Sequence, residues 1–135
     1  MQADSTFSVT SFEPTEYTSP IQTGLDVGYT YMTKTFTGDI EGTSRTQFTS
    51  AFSQETGVGT YLAMESFEGS IGDRRGTFNF AHMATTDGAD RSHHQLVVVP
   101  TSGTGDLAGI TGTGELLVDA DGTHRLRLDV EFAGN

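Results

Sequence analysis

The segment His124–Phe132 constrains the fold more than any other. His124, Leu126, Leu128, Val130 and Phe132 alternate there with Arg125, Arg127, Asp129 and Glu131. A strict period of two sends one face of a pleated strand into a core and leaves the other in water. Several earlier segments repeat the alternation, and none carries a convincing helical period. The chain is therefore expected to be all-β, with its function in whatever the sheet encloses.

Turn signals divide the chain into eight strand-like segments: Thr6–Phe12, Leu25–Thr37, Thr43–Ser53, Val58–Gly69, Gly76–Thr85, Arg91–Val99, Ile110–Asp119 and His124–Phe132. Pro14 and Pro20 mark an irregular loop from Pro14 to Gly24. Gly72-Asp73, Asp87-Gly88 and Asp121-Gly122 mark tight reversals. Short connections between sequential strands predict an eight-stranded antiparallel up-and-down β-barrel, with a two-sheet sandwich as the alternative. The 135 residues are expected to form a single β-barrel domain, 1–135, large enough to need no covalent staples.

A formal charge of -11, with only seven lysines and arginines scattered along the chain, argues against two classes of partner. A phosphate backbone or an anionic lipid surface would be repelled, so neither nucleic acid nor a membrane is expected. Met1–Ser5 has no basic region and no apolar run, so no secretory signal is expected. Together with the absence of cysteine, this favours a cytoplasmic protein.

Several strands are apolar on both faces. Tyr61, Ala63 and Phe67 alternate with Val58, Leu62 and Met64, so some outward apolar surface needs covering. A homo-oligomer is expected on that ground.

Thr33–Gly42, Glu65–Phe80 and Val98–Gly109 resemble the bacterial domain-of-unknown-function family DUF3224. The likeness runs over nearly the whole chain in the same order, and its most specific pieces are TFTGDIEG and VVPTSGTGDLAGITGTG. The resemblance implies a small barrel related in shape to allene oxide cyclase and the dirigent proteins, which favours the barrel over the sandwich. Enzymes of that shape fold an apolar, reactive substrate inside the lumen and use no organic cofactor. By this analogy the chain is expected to be a cofactor-independent isomerase or cyclase acting on a small hydrophobic metabolite, as in natural-product biosynthesis. A non-catalytic small-molecule-binding barrel is the alternative. No motif of those enzymes carries over residue by residue.

Glu65 and His82 are the candidate catalytic pair. Tyr61, Ala63, Glu65 and Phe67 share one face, as do Phe78, Phe80, His82 and Ala84, and neighbouring strands would set such positions about 5 Å apart. A carboxylate beside an imidazole in an aromatic cavity is a general acid–base unit whose pKa values move with burial. The two positions also match residues typical of the resembled family, a Glu before the F-E-G step and a His closing F-x-F-x-H. The competing reading is a buried polar pair that fixes strand register.

Tyr61, Phe67, Phe78 and Phe80 are expected to line the substrate cavity, and Tyr29 and Tyr31 to add hydroxyls to it. His93 and His94 point to opposite faces, so one of them meets the lumen. His94, in phase with Leu96 and Val98, is carried forward as a substrate-binding candidate. No chelating histidine spacing is present, so no metal is expected. Gly103–Ala108 matches a dinucleotide fingerprint in letters only, because Gly109, Gly112 and Gly114 oppose the helix that motif requires.

Overall fold

Eight antiparallel strands follow one another around a closed ring in the computed structural model, which describes residues 1–133. They are β1 (Gln2–Pro14), β2 (Val27–Gly38), β3 (Ile40–Phe52), β4 (Val58–Ile71), β5 (Arg74–Asp87), β6 (Arg91–Val98), β7 (Ile110–Val118) and β8 (His124–Phe132). The ring closes because β1 pairs with β8 as well as with β2, from Gln2 opposite Asp129 to Phe7 opposite His124. The barrel, rather than the sandwich, is the architecture.

The last strand spans the residues its alternation predicts, with Leu126, Leu128 and Val130 fully buried. The first strand departs from expectation. It starts at Gln2, not Thr6, because Ala3 and Ser5 point inward and pair with Leu128 and Leu126. Gln2–Ser5 carries almost no apolar pattern, and its pairing partner lies at the far end of the sequence. Pro14 ends this strand, a position that needs no ladder N–H.

The hairpins are also tighter than the turn signals suggested. β3 already begins at Ile40, and Ile71 pairs with Arg74 across the Gly72-Asp73 reversal, where Gly72 has φ 61°. Gly42 and Gly69 face one another between β3 and β4. A Cβ on either would meet the opposing strand's carbonyl oxygen at 2.2 or 2.1 Å, so the two strands approach as closely as they do only because both residues are glycine. The glycine-rich connection after β6 forms a single 3-10 turn, Gly105–Leu107, which drops Leu107 into the core.

One half of the cylinder is solid. Phe36, Phe67, Phe78 and Phe80 pack ring against ring, with Phe36 and Phe67 edge-to-face at 5.7 Å, above Ile40, Ile71, Leu107 and Ile110. Each buried phenylalanine contributes about 1.5–3 kcal/mol relative to exposure, so this plug is the main source of stability. The other half opens to solvent as a mouth formed by the ends of β1, β3 and β5 and the starts of β2, β4 and β6. The joint between β6 and β7 is the weakest in the ring, with one register pair, Val97 opposite Thr113. No helix among the described residues is long and apolar enough to cross a membrane.

Candidate functional site

Inward-facing residues form rows around the barrel wall, each row linking residues paired across successive strands. The deepest relevant row is Lys34–Ser44–Phe67–Phe78, and above it runs Met32–Thr46–Glu65–Phe80–Val98. The next is Thr30–Phe48–Ala63–His82–Leu96. Gly28–Ser50–Tyr61–Ala84 follows, and Phe52–Gly59–Thr86–Arg91 forms the rim. Each row supplies one strongly polar group, so Lys34, Glu65, His82, Tyr61 and Arg91 climb from the plug to the mouth.

The first four of these are joined by hydrogen bonds. Lys34 Nζ donates to Glu65 Oε2 at 2.6 Å, and Ser44 Oγ donates to Glu65 Oε1 at 2.7 Å. His82 Nε2 lies 2.5 Å from Glu65 Oε2, and the Tyr61 hydroxyl lies 2.8 Å from His82 Nδ1. Glu65 stands opposite Phe80 and His82 opposite Ala63, so carboxylate and imidazole meet on the diagonal rather than directly across the ladder. Alanine at 63 leaves the room for that diagonal contact.

Electrostatics fixes the protonation pattern. Burial would raise the Glu65 pKa, but the hydrogen bond from His82 and the charge of Lys34 outweigh it and hold the carboxyl down at about 2. Burial also pushes the His82 pKa below its ordinary value against the pull of Glu65, and the positive charges of Lys34 and Arg91 act in the same direction. A neutral imidazole beside a carboxylate carries its proton on Nε2, which it donates to Glu65. Nδ1 is then left to accept from Tyr61. The Tyr61 hydroxyl stays protonated, pushed up to about 12 chiefly by burial, with Arg91 pulling the other way. Its proton faces His82, and a lone pair of its oxygen remains for whatever enters the mouth.

The mouth holds about 490 Å³ and is lined by Phe12, Thr30, Phe48, Phe52, Tyr61 and Ala84 among others, with Asp26 and Arg91 at its rim. Phe48 stacks on Tyr61 at 5.0 Å and fixes the phenol ring. Neither Glu65 nor His82 lines this space; Tyr61 stands between them and it.

Several expected positions need correction. Tyr29 and Tyr31 do not contribute to the lumen. Thr30, Lys34 and Phe36 take the inner phase of β2, which turns both tyrosines to the outer surface, their rings 5.2 Å apart. Phe67, Phe78 and Phe80 do face inward but are sealed in the plug, so they support the site from below rather than line it. His94 is exposed, next to His93, whose φ of 55° breaks the strand geometry. It borders a small void shared with Tyr61 and His82 beside the β6–β7 joint. Tyr61 lines the mouth as expected.

Lys34 and Ser44 were not among the expected site residues. A signal for Lys34 existed: a carboxylate placed in a barrel core demands a cation, and Lys34 shares the phase of Phe36 on β2. Among the described residues, no group of three or more His, Cys, Asp or Glu is placed to hold a metal ion.

The outer wall carries a second feature, an open groove of about 750 Å³ bordered by Tyr29, Leu62, Met64, Met83, Val97 and Thr113. None of its lining residues is Asp, Glu, Lys or Arg.

Comparison with known proteins places this geometry. None of the curated proteins matches the chain. A crystal structure from Shewanella oneidensis MR-1, described as a protein with unknown function from the DUF3224 family, superposes with a TM-score of 0.87 at 29% identity. The match covers 100% of this chain and 98% of that one. The family profile "Protein of unknown function (DUF3224)" matches residues 3–130, nearly the whole barrel. The chain belongs to the DUF3224 family.

Proposed function

We propose that this barrel binds a small, largely apolar molecule in its mouth and isomerises or cyclises it by moving a proton, with Tyr61 as the residue that touches the substrate. The observation that carries this reading is the chain Tyr61–His82–Glu65, anchored on Lys34 and ending at the mouth. A substrate C–H bond beside a carbonyl breaks as its proton passes to the Tyr61 oxygen and its electron pair moves onto the carbonyl oxygen as an enolate, while the phenol proton passes to Nδ1 of His82. The resulting imidazolium is held by the ionised Glu65. Returning the proton to a different carbon, or to the same molecule after ring closure, restores every group. No oxidant, reductant or organic cofactor enters the balance. Glu65 and His82 thus act behind Tyr61, as the orienting carboxylate and the proton store.

A second reading, a carrier without turnover, is favoured by the complete use of Glu65 by Lys34, Ser44 and His82, the pattern of a structural polar layer. The two readings separate in D2O. Small apolar carbonyl compounds that raise the melting temperature are incubated with the protein, and deuterium uptake is read by mass spectrometry. Uptake catalysed by wild type and lost in Tyr61→Phe, with the compound still bound, is the expected result. Binding without uptake in wild type sinks the isomerase reading and leaves the carrier.

The charge-free outer groove supports a homo-oligomer. In a chain of net charge -11 it is a surface on which two copies can meet without bringing like charges together. The lack of cysteine fits a reducing compartment, and on that ground a cytoplasmic setting is part of the proposal.

A further inference from the structure

We infer that the molecule taken into the mouth carries one carboxylate, held by Arg91, in addition to its apolar body. This rests on the mouth being the ligand site, and it stands with or without turnover. Arg91 pairs with Thr86 on the inward-facing rim row, one row above Tyr61 and Ala84. Among the described residues it makes no ion pair and no side-chain hydrogen bond, although the chain has an excess of acidic groups to offer it. Arg74, Arg125 and Arg127 each have a partner. Arg45 and Arg75 lack an ion pair too, but neither lines the mouth.

Asp26, the other charged residue of the rim, precedes β2, while Arg91 opens β6. In a ring of eight strands those positions lie on opposite sides. Asp26 and Arg91 therefore face one another across the mouth, with Arg91 on the Tyr61 side; Asp87 and Asp90, in the turn before Arg91, do not line the mouth. Arg91 is among the charges that act on the Tyr61 hydroxyl and Asp26 is not, which agrees with that placement.

The wall between Arg91 and the phenol consists of Ala84, Gly59 and Thr86, all small. A carboxylate on the guanidinium would set the next few atoms of its chain over the Tyr61 oxygen, with the remainder against Phe48 and Phe52. A planar guanidinium binds a carboxylate through two parallel N–H donors, so it fixes direction as well as position. In a protein of net charge -11 an anion gains nothing from the overall field. Selection for a carboxylate must then come from this one local contact.

The test uses octanoate and 1-octanol, which share an apolar tail and differ in charge. Each is titrated into wild type, Arg91→Gln and Arg91→Lys, with backbone amide shifts recorded by NMR. Wild type is expected to bind octanoate about fivefold or more tighter than octanol, the scale of a partly exposed ion pair. Arg91→Gln loses that preference with octanol affinity unchanged, and Arg91→Lys keeps part of it. Shifts at Thr30 and Ser50 locate the ligand in the mouth; shifts confined to Met64 and Val97 locate it in the outer groove. Equal affinities in wild type, a preference that survives Arg91→Gln, shifts confined to the groove, or no binding of either probe each overturn the inference. A preserved carboxylate preference without deuterium exchange removes only the catalytic reading and leaves this one intact.

Discussion

Lys34 is paired with Glu65 inside the barrel, Nζ 2.6 Å from Oε2, with both side chains almost wholly removed from solvent. Neither charge could stay ionised there alone. Lys34→Met should therefore destabilise the fold by about 3–5 kcal/mol, because it strands a buried carboxylate. Lys34→Met combined with Glu65→Gln should recover much of that loss. Urea denaturation of the two variants checks this; a double variant no more stable than the single would mean that the ion pair is not what the layer depends on.

Acid should weaken the fold in two windows. His82 is held neutral in the folded chain, below its ordinary 6.5, so the unfolded chain takes up that proton first and stability declines as pH falls below 6.5. Glu65 is at about 2 folded against 4.5 ordinarily. Its contribution is complete above 4.5 and is lost as pH falls toward 2. Melting temperature measured from pH 8 to pH 3 should be flat at first and then drop in both windows. Glu65→Gln should shrink the lower drop, leaving the smaller part contributed by Asp87 and Asp121, whose carboxylates are also held below their ordinary values by hydrogen bonds. A wild-type profile level down to pH 4 would contradict the assignment of His82.

Thr46 lies in the Glu65 row, and its hydroxyl is buried with no hydrogen-bond partner. Thr46→Val replaces it with a methyl of similar size and should stabilise the protein by about 1 kcal/mol. The denaturation midpoint should rise at unchanged slope. A fall would indicate a bond to an internal water.

The outer groove should mediate self-association. Sedimentation velocity should give a mass that is a multiple of the chain's, and Met64→Glu, which puts a carboxylate into the charge-free surface, should return the monomer with its melting transition retained. A wild-type monomer at all accessible concentrations would leave the groove to another role.

The strands were readable because their signals are local. The alternation of His124–Phe132 and the Gly72-Asp73 reversal each depend on residues a few positions apart. Two things were not. Gln2–Ser5 becomes a strand only through β8, so its composition alone reveals nothing. On β2 Tyr29 and Tyr31, expected to add hydroxyls to the cavity, lie on the outer face. Phase does not say which side is in; what decides it is the partner each residue finds, Phe36 on Phe67 and Lys34 on Glu65. The pair Glu65–His82 and a place for Tyr61 in the cavity follow from strand adjacency, but that Tyr61 meets the mouth while Glu65 and His82 lie behind it follows only from the row order around the wall.

The single-pair joint between β6 and β7 has a mechanical consequence. A hoop fails at its thinnest weld, so thermal fluctuation should part the wall there long before the phenylalanine plug gives way. That slit lies beside His94 and over His82, which gives the interior a side door in addition to its front one.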